Sequence, residues 1–337
     1  MMQQVRNILL LIILSLISCK QQPKSIEVIH SNSIEIKDFF NRTIILPPFV
    51  NKIVPLYYSE CEILTALGAK NKIVGVGLPY NSSTPDYFPI LKDFAPEIFK
   101  LPQVGASGNV NLESLFKIKP DLVLSDNNIL TINQIENYFK IISIFPHRYS
   151  DIFDHIKTIG KIVGKNSEAK ILSDTLTHML TKVKAIANNI SLIDYKKLYY
   201  VRSDLLTTLN DSIHNEIFNI CGGHNILEKD FPNSFSFQIS IELLLKHNPD
   251  IIVIRDRSNL NVNDILNDRR LIHLKAVKNK NIFKEHNAWK EYRLESIFGI
   301  IEKAKWFHPK EFASLNPNKE YEMFLNLIKK NNEAASK

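Results

Sequence analysis

The sequence predicts an α/β fold of two Rossmann-like lobes with mostly parallel sheets, joined by one long α-helix. Three observations carry this expectation. Short β-type runs alternate with amphipathic stretches along most of the 337 residues, which is the grammar of βαβ units. One stretch, Ser167 to Asn189, has a helical apolar stripe with no Gly or Pro and is about 35 Å long at 1.5 Å per residue. A pattern in the first half of the chain also recurs in the second half.

The chain opens with Arg6 in a short polar start, followed by an apolar run from Ile8 to Ile17 interrupted only by Ser15. A bilayer span needs about 20 apolar residues, so this run reads as the core of an export signal. It closes with Leu16, Ile17, Ser18 and Cys19, which resembles the bacterial lipobox, whose cysteine is lipidated and becomes N-terminal. Residues 1–18 are therefore expected to be a lipoprotein signal, and 19–35, polar and turn-rich, a tether from the lipidated Cys19. The expected location is outside the cytoplasmic membrane, anchored by lipid and facing the periplasm or cell exterior.

The first lobe is expected over 36–150, with strands at Lys52–Tyr58, Lys72–Gly77, Asp121–Ser125 and Lys140–Phe145. Helical spacing occupies Glu60–Gly68, Val110–Lys117 and Thr131–Phe139 between them. A linking region follows over 151–190, its stripe formed by Leu172, Leu176, Met179, Leu180, Val183, Ile186 and Ala187. The second lobe is expected over 191–325, with strands at Lys197–Arg202, Ile251–Asp256 and Asn281–Glu285 and helices at Ile213–Cys221, Ile239–Lys246 and Glu291–Trp306. Residues 326–337 read as a polar tail.

The repeat is visible residue by residue. Residues 110–124 read VNLESLFKIKPDLVL and residues 239–253 read ISIELLLKHNPDIIV, so Glu113 and Glu242 each stand seven positions before a Pro-Asp pair that leads into a strand. Asn111 and Ser240 are the expected N-caps, and the two glutamates fall in the first turn, where the helix dipole favours a carboxylate. Charge placement at a helix end would account for either glutamate alone; matched copies in two lobes suggest a paired docking surface.

Composition bounds the function. With 45% apolar residues the chain builds proper cores, and its net charge of +7 comes from scattered lysines rather than a basic stripe, so no nucleic-acid partner is expected. Cys61 and Cys221 fall in different expected lobes and are expected to be buried, unpaired thiols. There is no phosphate-binding Gly-rich loop before Lys and Ser/Thr, no nucleophile elbow and no HExxH motif. No enzyme activity, cofactor or resident metal is expected, although His147, His214, His224 and His286 remain candidates as single ligands to a bound metal complex.

The segments FNRTIILPPFVNKIVPLYYSECEILTALGAKNKIVGVG, VGASGNVNLESLFKIKPDLVLS, IFNICGGHNILE, SFSFQISIELLLKHNPDIIVIRD and AKWFHPKEF, taken in order, resemble the class III periplasmic binding proteins that serve iron-siderophore and cobalamin ABC importers. The resemblance implies a monomer that holds a small ligand in the cleft between its lobes and delivers it to a permease dimer with its cytoplasmic ATPase. It matches Glu113 and Glu242 to the glutamates by which such proteins dock onto permease arginines. Strand ends then supply the expected ligand contacts. These are Tyr57, Tyr58, Tyr80, Asn81, Ser107 and Asn127 in the first lobe, and Arg202, Ser236, Arg255, Arg257, Trp289 and Arg293 in the second. Arginine forks suit carboxylate, catecholate or phosphate-like oxygens. Ser107 and Ser236 stand six residues before the glutamates, where the cobalamin-binding relative carries tryptophan, which weighs against a corrin. The expected ligand is a ferric siderophore or similar iron chelate, with molybdate or tungstate, a nickel chelate, haem or cobalamin as alternatives; a lipid-anchored enzyme or adhesin is the distant one.

Overall fold

The computed structural model describes residues 33–77, 85, 88–232, 234–286, 289 and 293–335. The expected signal, Cys19 and most of the expected tether lie outside them. Among the described residues the first element is a hairpin of β1 (Ile34–Lys37) and β2 (Thr43–Leu46), which starts two residues before the expected first lobe. Asp38 closes its turn by accepting the backbone N–H groups of Phe40 and Arg42, both at 3.0 Å.

The first sheet is parallel in the order β3 (Ile53–Pro55), β6 (Leu122–Ser125), β7 (Ile141–Ser143). The expected strand at Lys72–Gly77 runs extended beside β3 without forming a full ladder: Ile73 bridges Ile53, and the Gly77 N–H donates to the Pro55 carbonyl at 2.8 Å. Gly77 is required there, because a Cβ would stand 2.4 Å from the Leu56 carbonyl oxygen. A short hairpin, β4 (Gly105–Ala106) with β5 (Asn109–Val110), precedes the repeat helix. The helices are α1 (Tyr58–Ala66), α2 (Pro89–Phe94), α3 (Leu112–Ile118) and α4 (Ile129–Ile135).

The linking region is two helices. α5 (Asp151–Val163) ends at Gly164, whose φ of 73° reverses the chain, and α6 (Asn166–Ala187) spans 22 residues, about 33 Å. Its stripe faces inward as expected except for Ile186, which is half-buried.

The second sheet is parallel in the order β10 (Gly223–Asn225), β8 (Lys196–Val201), β12 (Ile251–Ile254), β13 (Ile282–Lys284). β9 (Thr207–Asn210) and β11 (Ser234–Gln238) form an antiparallel pair beside it. The helices are α7 (Ser212–Ile220), α8 (Ile241–His247), α9 (Val262–Leu266), α10 (Lys275–Lys278), α11 (Ser296–Phe307) and α12 (Pro317–Ala335). The helix expected from Glu291 begins at Ser296.

The expected polar tail is also different: α12 runs to Ala335, burying Phe324, Ile328 and Asn331. Asn331 and Asn332 donate their side-chain amides to the carbonyls of Ala66 and Thr65, each at 2.9 Å, so the C-terminal helix caps the open end of α1.

Alternate strand residues enter different cores, as parallel sheets covered on both faces require. Ile53, Leu122, Leu124, Leu198, Tyr200, Ile251 and Val253 join one core shared with α1, α5, α6, α7, α11 and α12. On the opposite faces, Val54 and Val123 pack with α3 and α4, and Tyr199, Val201, Ile252 and Ile254 pack with the helices from α8 to α10. Cys61 and Cys221 are buried in the shared core, and neither is in a disulfide. Among the described residues no helix is long and apolar enough to cross a membrane.

Candidate functional site

In an open α/β sheet the binding crevice lies beyond the carboxyl ends of neighbouring strands whose connections leave in opposite directions. In the first lobe β3 leads toward Ile73 on one side and β6 leads to β7 on the other, so the crevice lies beyond Pro55 and Ser125. In the second lobe β8 leads to β10 and β12 leads to β13, so it lies beyond Val201 and Ile254. The residues that follow are Tyr57, Tyr58, Asp126 and Asn127 in one lobe and Arg202, Arg255 and Arg257 in the other.

The first-lobe wall is aromatic and acidic. The Tyr57 hydroxyl donates to that of Tyr58 at 3.0 Å, with ring centroids 4.2 Å apart. Burial raises the Tyr58 hydroxyl above its usual range, against the Tyr57 hydrogen bond and the positive fields of Arg293 and Arg257. Arg257 follows β12 in the second lobe, and its positive charge is among those acting on Tyr58 in the first. Ser107 donates to Asp126 at 2.6 Å and lies 3.1 Å from the Thr131 hydroxyl, tying the β4–β5 hairpin to the turn after β6. Asn127 is exposed beside it. Beneath Tyr57, a water-sized cavity of about 10 Å³ is lined by Glu60, Pro146, His155 and Leu294. Burial pushes the Glu60 carboxyl up to about 8, with Asp126 adding to the rise, and its Oε2 has no hydrogen-bond partner among the described residues.

The second-lobe wall is cationic. Arg202 donates to Ser236 Oγ at 2.9 Å and stacks its guanidinium over Phe235 at 5.2 Å, which holds the fork in place. Arg255 lies 3.9 Å from the carboxylate of its neighbour Asp256, and Arg257 is exposed. The loops after β8 and β12 are stitched together where Ser258 donates to the Ser203 carbonyl at 2.7 Å.

Two expected contacts are placed differently. Trp289 is only 5% exposed and packs against His286, Phe298 and Tyr321, because its large apolar face serves the shared core. Arg293 is also interior: its Nε donates to Glu62 at 3.0 Å and Glu295 stands 3.2 Å away, with Tyr58 and Phe88 over the guanidinium. Burial pushes the Glu62 carboxyl up to about 8, opposed by Arg293 and reinforced by Glu295, since two carboxyls share one guanidinium. Tyr80 and Asn81 lie outside the described residues. Sequence reasoning passed over Asp126, Glu60 and Phe235; Asp126 was the most accessible of these, since it directly follows a strand.

The histidines are dispersed. His147 stacks on Phe39, His214 is buried with Nδ1 2.8 Å from Asp211, His224 sits in β10, and His286 stacks on Trp289. Among the described residues no group of three His, Cys, Asp or Glu side chains is arranged to hold a metal ion.

The two repeat helices are capped and anchored in the same way. Asn111 accepts the Ser114 N–H at 3.0 Å and Ser240 accepts the Leu243 N–H at 3.2 Å. Both helices stop at left-handed residues, Lys119 at φ 53° and Asn248 at φ 47°. Asp121 then accepts the Lys52 N–H at 2.9 Å, as Asp250 accepts the Lys197 N–H at 3.1 Å, locking each turn to the strand beside it. Glu113 and Glu242 are both exposed, Glu113 in an ion pair with Lys117 at 2.8 Å.

The profile of the periplasmic binding protein family matches residues 53–288, spanning both sheets and both repeat helices. The chain belongs to that family. This binding protein is 27% identical over 274 residues to the Bacillus subtilis uncharacterized ABC transporter substrate-binding lipoprotein YvrC, covering 78% of each chain. It is 25% identical over 311 residues to the Haemophilus influenzae molybdate-binding protein MolA, covering 84% of this chain and 87% of that one. The solved structure of MolA bound to molybdate superposes with a TM-score of 0.74 at 22% identity, covering 88% of this chain and 97% of that one. Helicobacter pylori CeuE with Ni(II) bound superposes with a TM-score of 0.73 at 20% identity, covering 88% and 95%. The fold is that of the class III binding proteins, with two α/β lobes and a long helix between them.

Proposed function

We propose that this binding protein is the lipid-anchored substrate-binding component of an ABC importer, tethered through Cys19, and that it captures a ferric siderophore or similar iron chelate between its lobes. The carrying observation is the chemistry at the two sets of strand ends, with Tyr57 and Tyr58 hydrogen-bonded in one lobe, Arg202, Arg255 and Arg257 in the other, and the positive charge of Arg257 acting on the Tyr58 hydroxyl. Guanidinium forks take oxygen anions in pairs, and tyrosines cover an apolar ligand face while offering hydroxyls. A ligand rich in anionic oxygens and bearing planar organic groups satisfies both walls. No bond is made or broken; the site binds and releases. Glu113 and Glu242 dock onto basic residues of a two-subunit permease, one for each lobe.

A second reading is a compact oxyanion such as molybdate. It is favoured by the same arginines and by the kinship with MolA. A thermal-shift screen of the soluble body against ferric siderophores, molybdate, tungstate, nickel with histidine, haem and cobalamin separates the two. Ligand at 100 times its Kd adds about 2.7 kcal/mol to stability. We expect stabilisation by a ferric chelate, unchanged on recovery and lost in Arg202→Ala and Arg255→Ala. Stabilisation by the oxyanions alone would replace the first reading with the second, and conversion of any ligand would overturn both.

A further inference from the structure

The repeat extends beyond the glutamates. Leu115 and Leu244, two positions after them, are completely buried and fix the rotation of each helix. The next position is turned outward in both copies and is apolar in both: Phe116 is 48% exposed and Leu245 37% exposed. A lysine follows each, Lys117 and Lys246, also exposed. Each lobe therefore shows one outward face made of a carboxylate, an apolar side chain one turn on, and a lysine. The Phe116 ring meets Tyr138 edge-on at 5.4 Å, widening the apolar area on the first lobe.

Single exposed apolar residues are ordinary on a protein surface. A pair at the same position of two structural copies, each beside an exposed carboxylate, has a common cause. Rim charges set encounter and register, whereas affinity at an interface concentrates in a few buried anchors. The carboxylates call for a cationic partner. Glu242 is held below the usual carboxylate range by its own backbone N–H and Ser240, so it presents a full negative charge. The exposed pair of Glu113 with Lys117 contributes little and is readily exchanged. Two like faces on one chain fit a partner that also presents one surface twice, as a symmetric dimer does.

We propose that Phe116 and Leu245 are the apolar anchors of the permease contact, each seated in a hollow beside the basic residue that receives Glu113 or Glu242. This rests on the docking reading given under Proposed function. The helices are short and capped at both ends, so the anchors are presented rigidly and docking needs no refolding.

The test is photocrosslinking with the full-length lipoprotein in the membranes of its own cell. Benzoylphenylalanine is placed in turn at positions 113, 116, 242 and 245, and at Ile193 as an exposed control, and the linked protein is identified by mass spectrometry. The expected result is one polytopic permease subunit linked from all four positions and not from 193. In the Phe116→Ser, Leu245→Ser double variant, with its melting temperature unchanged, the yield from 113 and 242 falls about tenfold or more. Full yield from 113 and 242 in that variant would overturn the anchors and leave the docking reading standing. Absence of a permease link from all four positions would overturn both.

Discussion

Arg293 Nε donates to Glu62 Oε2 at 3.0 Å across 231 positions of chain, and both side chains are at most 1% exposed. The pair joins the turn before α11 to α1. Removing the guanidinium leaves Glu62 and Glu295 buried together without their charged donor, which costs about 3–5 kcal/mol. Arg293→Met is expected to destabilise by that amount in urea unfolding. A loss below about 1 kcal/mol would show that water reaches Glu62 and Glu295.

Glu60 carries a pH dependence of definite sign. Its folded-state pKa is raised from 4.5 to about 8, so the folded protein binds the proton more tightly than the unfolded chain. Its contribution is fully present below pH 4.5 and is lost as pH rises toward 8, at up to about 1.4 kcal/mol per pH unit. Glu60→Gln, which keeps the shape and stays neutral, is expected to be more stable than the parent at pH 8 and to differ little near pH 4.5. Parallel stability curves for the two proteins across this range would refute the assignment.

The C-terminal helix is structural. Phe324→Ala is expected to cost about 3–5 kcal/mol, because the ring is completely buried in the shared core. Met323→Ala, at an exposed neighbour, is expected to stay within about 0.5 kcal/mol. Equal effects would mean that α12 is detached in solution.

Arg202 depends on Ser236 for its direction. Ser236→Ala removes one hydrogen bond to a charged group, worth about 1.5–3 kcal/mol, and leaves the Phe235 stacking. Titration calorimetry with the ligand found in the screen is expected to show Kd rising about tenfold, and further in Arg202→Ala. No change in either variant would remove Arg202 from the ligand contacts.

The architecture was legible where local pattern determines it. The buried strands, the α6 stripe and the paired Asn/Ser, Glu and Pro-Asp positions all act within a few residues of one another, so periodicity and capping expose them. The site was legible only as a set of strand ends. Arg293 looked available because arginine is rarely buried without a partner, and its partner Glu62 is remote in sequence. Trp289 failed for a similar reason, since the rings that enclose it come from α11 and α12. The α12 helix read as a tail because Phe324 and Ile328 are its only fully buried apolar side chains in a polar, Asn-rich stretch. Tyr321, Leu325 and Leu327 only partly enter the core, and the remaining attachment, by side-chain amides to backbone carbonyls, leaves no hydrophobic trace.

That attachment changes how many times the chain passes between the lobes. The polypeptide leaves the first lobe along α6 and, after building the second sheet and α11, returns through α12 to the end of α1. The second lobe is thus inserted into the first, held at an outgoing and a returning passage like a bucket on a two-point handle. The return passage opposes twisting about the long helix alone, so relative motion of the lobes is expected to be a small rocking about the line through both. A reporter fixed to Ala335 would travel with the first lobe, and its distance to α8 would measure that rocking directly.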